Sequence, residues 1–351
     1  MTKNKVLILT NTILHYRYDL YNNLAKNVDL TIATVNESIV YHEAAFNQIS
    51  FLSKKAGPFY FQKDLYKLCK EFDVVIIMFN ITYISFMKLL FQKRNFQIIL
   101  WGIGVSTENG FDKNSSIIKE RIRYYLAKKA DAIMFYSEYP LKKYIQKGIN
   151  SNKLFVAHNT IANDYIFDNS KIRSSFLFLG SLHKRKKIFI LLQAFKNVVN
   201  KIPKEISIDI IGEGEEYRNI ENWIIENNLQ DRIILHGQKT KKDLICYFEK
   251  AIACISPGQA GLSVLESFSY GVPFITQRNA VTGGEIYNIK HTYNGFFFDT
   301  LPELESILEK LATSNTDMAY YENVYNYYKE NRKIEDMGDS IINTINDVLT
   351  R

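Results

Sequence analysis

The sequence has few cysteines, no low-complexity tract and no residue spacing typical of a metal site. Its three cysteines, Cys69, Cys246 and Cys254, lie far apart in a chain of 351 residues. Such a set indicates a reducing compartment and excludes the ligand spacing of a zinc module. A hydrophobic content of 46% indicates a fully folded protein. The charged start, Met1–Lys5, leads directly into a short strand pattern, so we expect no signal peptide.

One apolar run, Val74–Phe91, approaches the length of a membrane span and contains a single charge, Lys88. Polar residues interrupt this run, and its first six residues are rich in β-branched side chains. A buried strand at Val74–Phe79 followed by a helix at Tyr83–Arg94 is therefore a better interpretation than a span.

The chain is basic, with a net charge of +7 and a pI of about 9.0. A charge of this sign suits nucleic acid, anionic lipid or a phosphorylated substrate. The sequence lacks a compact arginine-rich element and a zinc-finger spacing, so we expect no nucleic-acid partner. It also lacks an evident Ser–His–Asp or Cys–His arrangement for nucleophilic catalysis.

Strand and helix patterns alternate along the chain, which predicts an α/β fold with parallel sheets covered by helices. The polar segment 163–175 predicts a linker between two Rossmann-like domains, with a cleft at the carboxyl ends of their strands. A helical tail is predicted at 302–351. The predicted strands are Val6–Leu9, Leu30–Thr34, Val74–Phe79, Ile98–Trp101, Ala132–Phe135, Phe176–Leu179, Ser207–Ile211, Ile233–Leu235, Ala251–Ile255 and Phe274–Thr276. The predicted helices are Tyr18–Lys26, Gln62–Glu71, Tyr83–Arg94, Ile117–Lys128, Tyr139–Lys147, Ile188–Val199, Glu216–Asn227, Lys241–Glu249 and Leu262–Tyr270.

The segment Cys254–Ile275 combines an apolar strand, a loop of small residues and a helix that begins near Leu262. The start of such a helix leaves unpaired N–H groups, an arrangement that suits a phosphate. One helical turn further along, Glu266 faces the same end of the predicted helix as Ser263. A carboxylate there can accept hydrogen bonds from the hydroxyls of a ribose. Together these features predict a nucleoside diphosphate site. The alternative is an ordinary strand-to-helix connection with a packing glycine.

The same segment resembles the C-terminal signature of family 4 glycosyltransferases, which have the GT-B fold. The matching residues are Gly261, Leu262, Leu265, Glu266, Gly271, Pro273 and Ile275. The resemblance implies that Glu266 contacts the ribose of a nucleotide-sugar donor and that Gly261, Leu262 and Ser263 also bind the donor. In the family, another acid eight positions before the glutamate contacts the donor sugar. In this chain that position, also predicted to lie at the donor, is Gly258.

A second element, Phe178–Phe195, resembles the family motif that grips the donor diphosphate. A fixed cation there would stabilise the negative charge that grows as the sugar–phosphate bond breaks. The resemblance places Lys186 on the family's lysine and Ser181 on its arginine, and Arg185 or Lys184 is then the candidate for the missing charge. The alternative is a solvated basic loop before an amphipathic helix.

Two glycine-containing turns extend the resemblance. The run Ile211–Glu216 lacks the third glycine of a dinucleotide fingerprint, so we expect a tight turn at Gly212 near the donor and no dinucleotide site. The run Thr282–Ile286 resembles a family turn, in which Glu285 is predicted to be a cap or turn residue.

The first strand-to-helix loop carries the candidates for the acceptor site. Its His15 and Arg17 resemble an H-Y-R variant of the family loop and would contact an acceptor phosphate or the donor. A plain surface loop is the alternative. The turn Trp101–Gly104 resembles a W-G-H-G pattern without its histidine, and Glu108 in the same loop is the nearest acid. The predicted catalytic residues are therefore Lys186, Glu108 and His15.

The resemblance as a whole implies a GT-B protein with an acceptor-binding domain at 1–165 and a donor-binding domain at 172–318. The C-terminal helices at 319–351 would pack back on the first domain. The implied activity is retaining transfer of a sugar from a nucleoside diphosphate to a glycan or lipid-linked acceptor, in surface polysaccharide or lipopolysaccharide synthesis. The alternatives are a non-catalytic nucleotide-sugar binder and an epimerase of the same fold. Because the chain has no Asp-x-Asp triplet, we expect no cofactor and no required metal.

A last prediction concerns an anionic membrane surface. The predicted helix Tyr83–Arg94 carries an apolar stripe next to cations, and basic residues in 119–147 extend the positive region. The stripe consists of Tyr83, Phe86, Met87, Leu90 and Phe91. This pattern predicts a cytoplasmic protein that binds the inner face of the plasma membrane peripherally. The alternative is a stripe that packs on the sheet.

Overall fold

The computed structural model describes residues 3–35, 40–106, 112, 116–168, 170–314 and 318–351. The chain forms two compact units, Met1–Ala162 together with Lys333–Arg351, and Asn163–Arg332. Each unit is built around a parallel sheet, which is the architecture that the alternating sequence pattern predicts.

The first unit contains a parallel sheet with apolar residues on both faces. Its strands are β1 (Lys5–Thr10), β2 (Asp29–Thr34), β3 (Asn47–Ser50), β4 (Ser53–Ala56), β5 (Phe59–Gln62), β6 (Val74–Met78), β7 (Gln97–Gly102), β8 (Ala132–Phe135) and β9 (Leu154–Val156). Its helices before the second unit are α1 (Tyr18–Ala25), α2 (Leu65–Cys69), α3 (Ile84–Lys88), α4 (Ile117–Lys129) and α5 (Tyr139–Gln146). Seven strands form the sheet in the order β3-β2-β1-β6-β7-β8-β9, and β4 and β5 form a separate antiparallel hairpin.

Alternating residues of the central strands enter two different cores. Val6 and Ile8 of β1 pack in a cluster with residues of α1, whereas Leu7 and Leu9 pack in a cluster with residues of α3 and α4. A strand that is buried on both faces appears in the sequence as a continuous apolar run. This arrangement explains Val74–Ile77, which is fully buried in β6.

The apolar stripe that we predicted to lie on a membrane belongs to the core. Tyr83, Phe86, Met87 and Leu90 are at most 6% exposed, and Phe91 is 52% exposed. The helix is also shorter than predicted, because α3 ends at Lys88 and a 3-10 turn, Leu89–Phe91, follows. The stripe packs on the sheet because burying these side chains removes their apolar surface from water. The interfacial prediction for this helix is therefore wrong. Among the described residues, no helix combines the length and the apolar character needed to cross a bilayer.

The second unit contains a six-stranded parallel sheet and a two-stranded parallel ribbon. Its strands are β10 (Ser175–Leu179), β11 (Ser207–Ile211), β12 (Ile233–Leu235), β13 (Ala251–Ile255), β14 (Gln259–Ala260), β15 (Phe274–Gln277), β16 (Val281–Thr282) and β17 (Gly295–Phe298). Its helices are α6 (Ile188–Val198), α7 (Tyr217–Glu226), α8 (Leu244–Glu249), α9 (Ser263–Ser269), α10 (Leu301–Thr313) and α11 (Met318–Asn331). The sheet order is β12-β11-β10-β13-β15-β17, and β14 pairs with β16.

The two last helices belong to different units. The final helix, α12 (Ile334–Thr350), packs in the first unit through residues such as Ile341 and Ile345. We predicted the same position for all of 319–351, but α11 stays in the second unit. Its aromatic face explains this difference: Tyr327 packs edge-to-face on Phe268, and the Tyr325 hydroxyl donates to the Tyr165 carbonyl at 2.9 Å.

A buried arginine connects the first loop to the rest of the first unit. Arg17 is 5% exposed, and its guanidinium donates to Asn159 Oδ1 at 2.6 Å and lies 3.3 Å from Met337 Sδ in α12. It also lies 5.1 Å from the ring centre of Trp101 and 5.2 Å from that of Tyr136. Arg17 therefore has a structural role in this unit, because cation–π contacts and charged hydrogen bonds stabilise a buried guanidinium.

Replacing Arg17 should destabilise the first unit. We expect Arg17→Ala to lower its free energy of unfolding by about 2–4 kcal/mol, because a charged hydrogen bond and packed rings are lost. His15→Ala is the matched control: His15 is exposed in the same loop, so the change should stay within about 0.5 kcal/mol. Urea unfolding can be followed by Trp101 fluorescence in a Trp223→Phe background, since the chain has 2 tryptophans. Equal effects of the two substitutions would contradict the structural role of Arg17.

Candidate functional site

Three loops at the carboxyl ends of neighbouring strands meet in the second unit. They follow β10, β11 and β13, which are adjacent in the sheet. The Gly180 N–H donates to the Ile211 carbonyl at 3.0 Å, and the Leu182 N–H donates to the Glu213 carbonyl at 2.8 Å. These bonds hold the loops after β10 and β11 against each other. The carboxyl ends of parallel strands are where ligands bind in open α/β sheets.

Gly212 allows this close approach. Its φ is 145°, and a Cβ at this position would lie 2.0 Å from the carbonyl oxygen of Gly180. A side chain would therefore push the two loops apart. The structure places the predicted turn at Gly212 beside the loop of Lys186, where it has a packing role.

Lys186 is a buried cation. It ends the short 3-10 turn Lys184–Lys186 and is 7% exposed, whereas the side chains of Lys184 and Arg185 are exposed. Burial lowers the pKa of Lys186 from 10.5 to about 8; Cys254 opposes this shift and the nearby Arg185 adds to it. Its Nζ lies beside Gly180, since a Cβ on that glycine would be 3.2 Å from it. Of the cations in this basic loop, Lys186 is the one whose side chain enters the protein.

Glu266 is a carboxylate without a hydrogen-bond partner for one of its oxygens. Its Oε1 is buried, and none of the described residues donates to it. Burial raises the pKa of Glu266 from 4.5 to about 7, and Lys241 partly opposes the shift. Because an unpaired buried carboxylate is unfavourable, its presence in the first turn of α9 indicates a ligand that donates hydrogen bonds to it.

Three further buried polar atoms near Glu266 also lack a partner among the described residues. They are Ser256 Oγ in the loop after β13, Gln259 Oε1 in the short strand β14 and Ser263 Oγ at the start of α9. The predicted donor residues Gly261, Leu262 and Ser263 lie in this same connection. Ser256 and Gln259 were not among our predicted site residues. Their signal in the sequence is weak, since a serine and a glutamine in a loop are ordinary surface residues.

Gly258 joins the loop of Lys186 to the loop of Glu266. Its N–H donates to the Lys186 carbonyl at 3.0 Å, and a Cβ on Gly258 would lie 2.1 Å from the Arg185 carbonyl oxygen. This backbone therefore has no room for a side chain at the position of the acid that the family signature carries. Buried Cys254, at the end of β13, interacts electrostatically with both Lys186 and Glu266.

The turn after β16 confirms one prediction and supports the loop cluster. Glu285 is 5% exposed and accepts the Gly283 N–H through Oε2 at 2.8 Å. The Thr282 hydroxyl oxygen accepts the N–H groups of Gly284 and Ile286, at 3.0 and 3.2 Å. Glu285 is thus a turn residue, as predicted, and its carboxylate is used within the turn.

The candidates in the first unit differ from one another in exposure. His15 is exposed in the 3-10 turn His15–Arg17, and Arg17 is buried among internal partners. The acceptor role predicted for both residues stays a prediction. Glu108 lies outside the described residues. Within the second unit, Ser181 is half-buried between Gly180 and the basic turn, and its donor role also stays a prediction.

Residues 166–331 match the family described as "Glycosyl transferases group 1". This range corresponds closely to the second unit and contains Lys186, Gly258 and Glu266. An uncharacterized glycosyltransferase of Methanocaldococcus jannaschii is 26% identical over 187 residues, which cover 52% of this chain and 49% of that protein. The chain thus aligns with about half the length of this curated relative.

Solved structures extend the likeness to both units. HepE of Anabaena in complex with UDP has a TM-score of 0.74 and 13% identity, covering 97% of this chain and 99% of HepE. Its complex with UDP-glucose has a TM-score of 0.71 and 12% identity. The lipopolysaccharide outer core galactosyltransferase WaaB has a TM-score of 0.69 and 15% identity, covering 97% and 99%. At these identities the likeness shows the fold, and the prediction of a GT-B fold is confirmed.

A side chain at Gly258 should destabilise the second unit. We expect Gly258→Ala to lower its free energy of unfolding by about 2–3 kcal/mol, because the new Cβ would overlap the Arg185 carbonyl. Gly261→Ala is the matched control in the same loop: the nearest atom to its Cβ would be Gln259 Nε2 at 3.7 Å, so a change below about 1 kcal/mol is expected. Amide hydrogen exchange in β10 and β13 can measure both. A stable Gly258→Ala protein would show that these loops separate easily.

Proposed function

We propose that the chain is a glycosyltransferase that uses a nucleoside diphosphate sugar as its donor. The observation that carries this proposal is the juxtaposition, in one loop cluster, of a buried lysine cation and a buried carboxylate that lacks a partner. Lys186 would bind the diphosphate and stabilise the charge that develops on it as the sugar–phosphate bond breaks. Glu266 would accept hydrogen bonds from the ribose hydroxyls.

The polar groups of the site suit this ligand. A diphosphate brings negative charge to Lys186 and thereby favours its protonated form, whereas ribose hydroxyls provide the donors that Glu266 Oε1 lacks. The UDP and UDP-glucose complexes of HepE, which shares the fold, support a uridine nucleotide as the first donor to test. We further propose that cationic side chains neutralise the diphosphate and that no metal is required.

For the reaction we propose retaining transfer, as in family 4. The acceptor hydroxyl would attack the anomeric carbon on the face from which the diphosphate leaves, and a leaving oxygen would take its proton. The acceptor would be a glycan or a lipid-linked sugar; the likeness to WaaB supports a surface polysaccharide or lipopolysaccharide product. We propose that the protein acts in the cytoplasm, in agreement with its three separated cysteines.

A second candidate function is a nucleotide-sugar binder without turnover. Gly258 favours it, because the acid that contacts the donor sugar in the family is absent and cannot be accommodated. An epimerase of the same fold is a third candidate. Incubation with a panel of nucleoside diphosphate sugars separates the three, since a transferase releases the diphosphate, an epimerase changes the sugar and a binder does neither.

Glu266 should contribute to nucleotide binding at the expense of stability. Its raised pKa means that ionisation of Glu266 opposes folding above pH 4.5, increasingly up to about pH 7. We therefore expect Glu266→Gln to stabilise the protein by about 3 kcal/mol at pH 8 and by only about 1 kcal/mol at pH 5. The same substitution should weaken UDP binding by about 1–3 kcal/mol. Urea unfolding and titration calorimetry measure the two effects. A variant that is less stable than the wild type at pH 8 would contradict the proposal that ionised Glu266 destabilises the fold.

Lys186 should matter more for turnover than for donor binding. We expect Lys186→Ala to lower kcat by about 100-fold or more with a smaller change in the KM for the donor, because the charge of the leaving diphosphate is largest in the transition state. In the wild type, kcat/KM should fall as the pH rises above about 8, where Lys186 loses its proton.

Exposed Lys201 in the same unit provides the matched control for Lys186, and Lys201→Ala should leave kcat unchanged. If Arg185→Ala or Lys184→Ala produces the large loss instead, the charge at the diphosphate comes from the exposed part of the loop.

A further inference from the structure

Helix α4 exposes apolar side chains that the cores of the first unit do not use. Ile117, Ile118, Ile122 and Tyr125 are 71%, 69%, 43% and 55% exposed, and Phe91, from the turn after α3, is 52% exposed. The rings of Phe91 and Tyr125 stack with their centres 5.9 Å apart. We call these five residues the α4 face. Tyr124, Leu126 and Ala127, on the other side of the helix, are buried.

Cations surround the α4 face. Arg121, Lys128 and Lys129 are exposed on the same helix, and the Lys129 Nζ lies 5.8 Å from the ring centre of Tyr125. Exposed Lys147 follows α5 and lies 5.9 Å from the ring centre of Tyr124. Long basic side chains beside an apolar patch can place their stems on it and their charges at a polar boundary.

The acidic side chains described next to these cations are already in ion pairs. Glu120 pairs with Arg123, and Asp131 pairs with Arg94. Asp112 pairs with Lys143. The exposed cations Arg121, Lys128, Lys129 and Lys147 therefore leave this region with an excess of positive charge.

A groove between α4 and α5 lies beside the apolar patch. It encloses about 590 Å³, and its lining includes Arg121, Lys128, Lys143 and Lys147, with Glu120 as its acid. The groove also reaches Ile117 and Tyr125, which belong to the α4 face. Apolar side chains that can enter an interface thus adjoin a basic cavity that can receive phosphate groups.

We propose that the α4 face and this groove dock on the surface of a bilayer that contains anionic phospholipid. The isoleucines and aromatic rings enter the interface between headgroups and acyl chains, and the cations contact the lipid phosphates. A bilayer fits better than a nucleic acid, because the three exposed isoleucines offer bases neither stacking nor hydrogen bonds, and the rings of Phe91 and Tyr125 already stack on each other. The proposal rests on the proposed function only in that a lipid-linked acceptor gives the docking a purpose.

The test is co-sedimentation of the full chain with vesicles of phosphatidylcholine, alone or mixed with phosphatidylglycerol, at low and high salt. Wild-type protein should bind the anionic vesicles at low salt and lose at least tenfold in partition coefficient at high salt, because salt screens the charges. The double variants Ile118→Ser with Ile122→Ser, and Arg121→Glu with Lys128→Glu, should each lose at least tenfold as well.

Matched controls lie on the second unit. Ile225→Ser changes an isoleucine that is 52% exposed, and Lys201→Glu reverses an exposed charge, so both should bind vesicles like the wild type. UDP binding by every variant provides a separate measure of folding and of the proposed donor site. Loss of vesicle binding with UDP binding intact supports the docking surface, whether or not transfer activity is found.

Three results would overturn the proposal. They are equal binding to neutral and anionic vesicles, binding that salt does not change, and no binding at low salt by protein that still binds UDP or unfolds cooperatively. Self-association that the Ile118/Ile122 variant abolishes, without vesicle binding, would assign the face to a second copy of the chain.

Discussion

The hydrogen bond from the Gly258 N–H to the Lys186 carbonyl, 3.0 Å long, holds the two halves of the candidate donor site together. One half is the turn that buries Lys186, and the other is the loop that leads to Glu266. The contact requires a residue without a side chain, since a Cβ on Gly258 would overlap the neighbouring carbonyl. Gly212 has the same role between the loops after β10 and β11. Two close backbone contacts thus position the functional groups of three loops.

Burial governs the electrostatics of the candidate donor site. Burial lowers the pKa of Lys186 and raises that of Glu266, because a buried environment disfavours the charged form of either group. A structure optimised for stability alone would pair these charges or replace them with apolar residues. A buried ammonium close to a carboxylate oxygen that no described residue donates to is a loss of stability. A ligand with phosphates and hydroxyls would reduce this loss, because phosphates favour the ammonium and hydroxyls donate to Glu266 Oε1.

The sequence predicts the fold well where the strands are buried on both faces. The central strands β1, β6, β7, β10 and β13 appear as apolar runs, and the structure places strands at each of them. The hairpin β4–β5 and the edge strand β3 are missed, because their residues are mostly half-buried or exposed and carry little apolar pattern. The position of α11 in the second unit is also missed, since a helical pattern does not show which core the aromatic face of the helix will join.

The candidate site also contains some residues that the sequence indicates and others that only the folded structure reveals. Glu266 and Lys186 can be singled out from the sequence because each lies in a segment that resembles a family motif. Gln259 cannot, since what marks it is that its Oε1 is buried without a partner, a property of the folded loop. The membrane stripe is misassigned for a related reason: an amphipathic pattern shows that one face is apolar, but it does not show whether the sheet or a bilayer covers that face.

The absence of an acid at Gly258 affects how transfer would work in this chain. A carboxylate at that position would lie near the donor sugar, whereas here the neighbouring polar group is the neutral amide of Gln259. With no negative charge from this loop, stabilisation of the transition state would come mainly from the leaving-group side. The buried ammonium of Lys186 is the group available there, and a low-dielectric environment strengthens its interaction with a diphosphate. In the proposed reaction, Lys186 would therefore supply the buried positive charge that stabilises the leaving diphosphate.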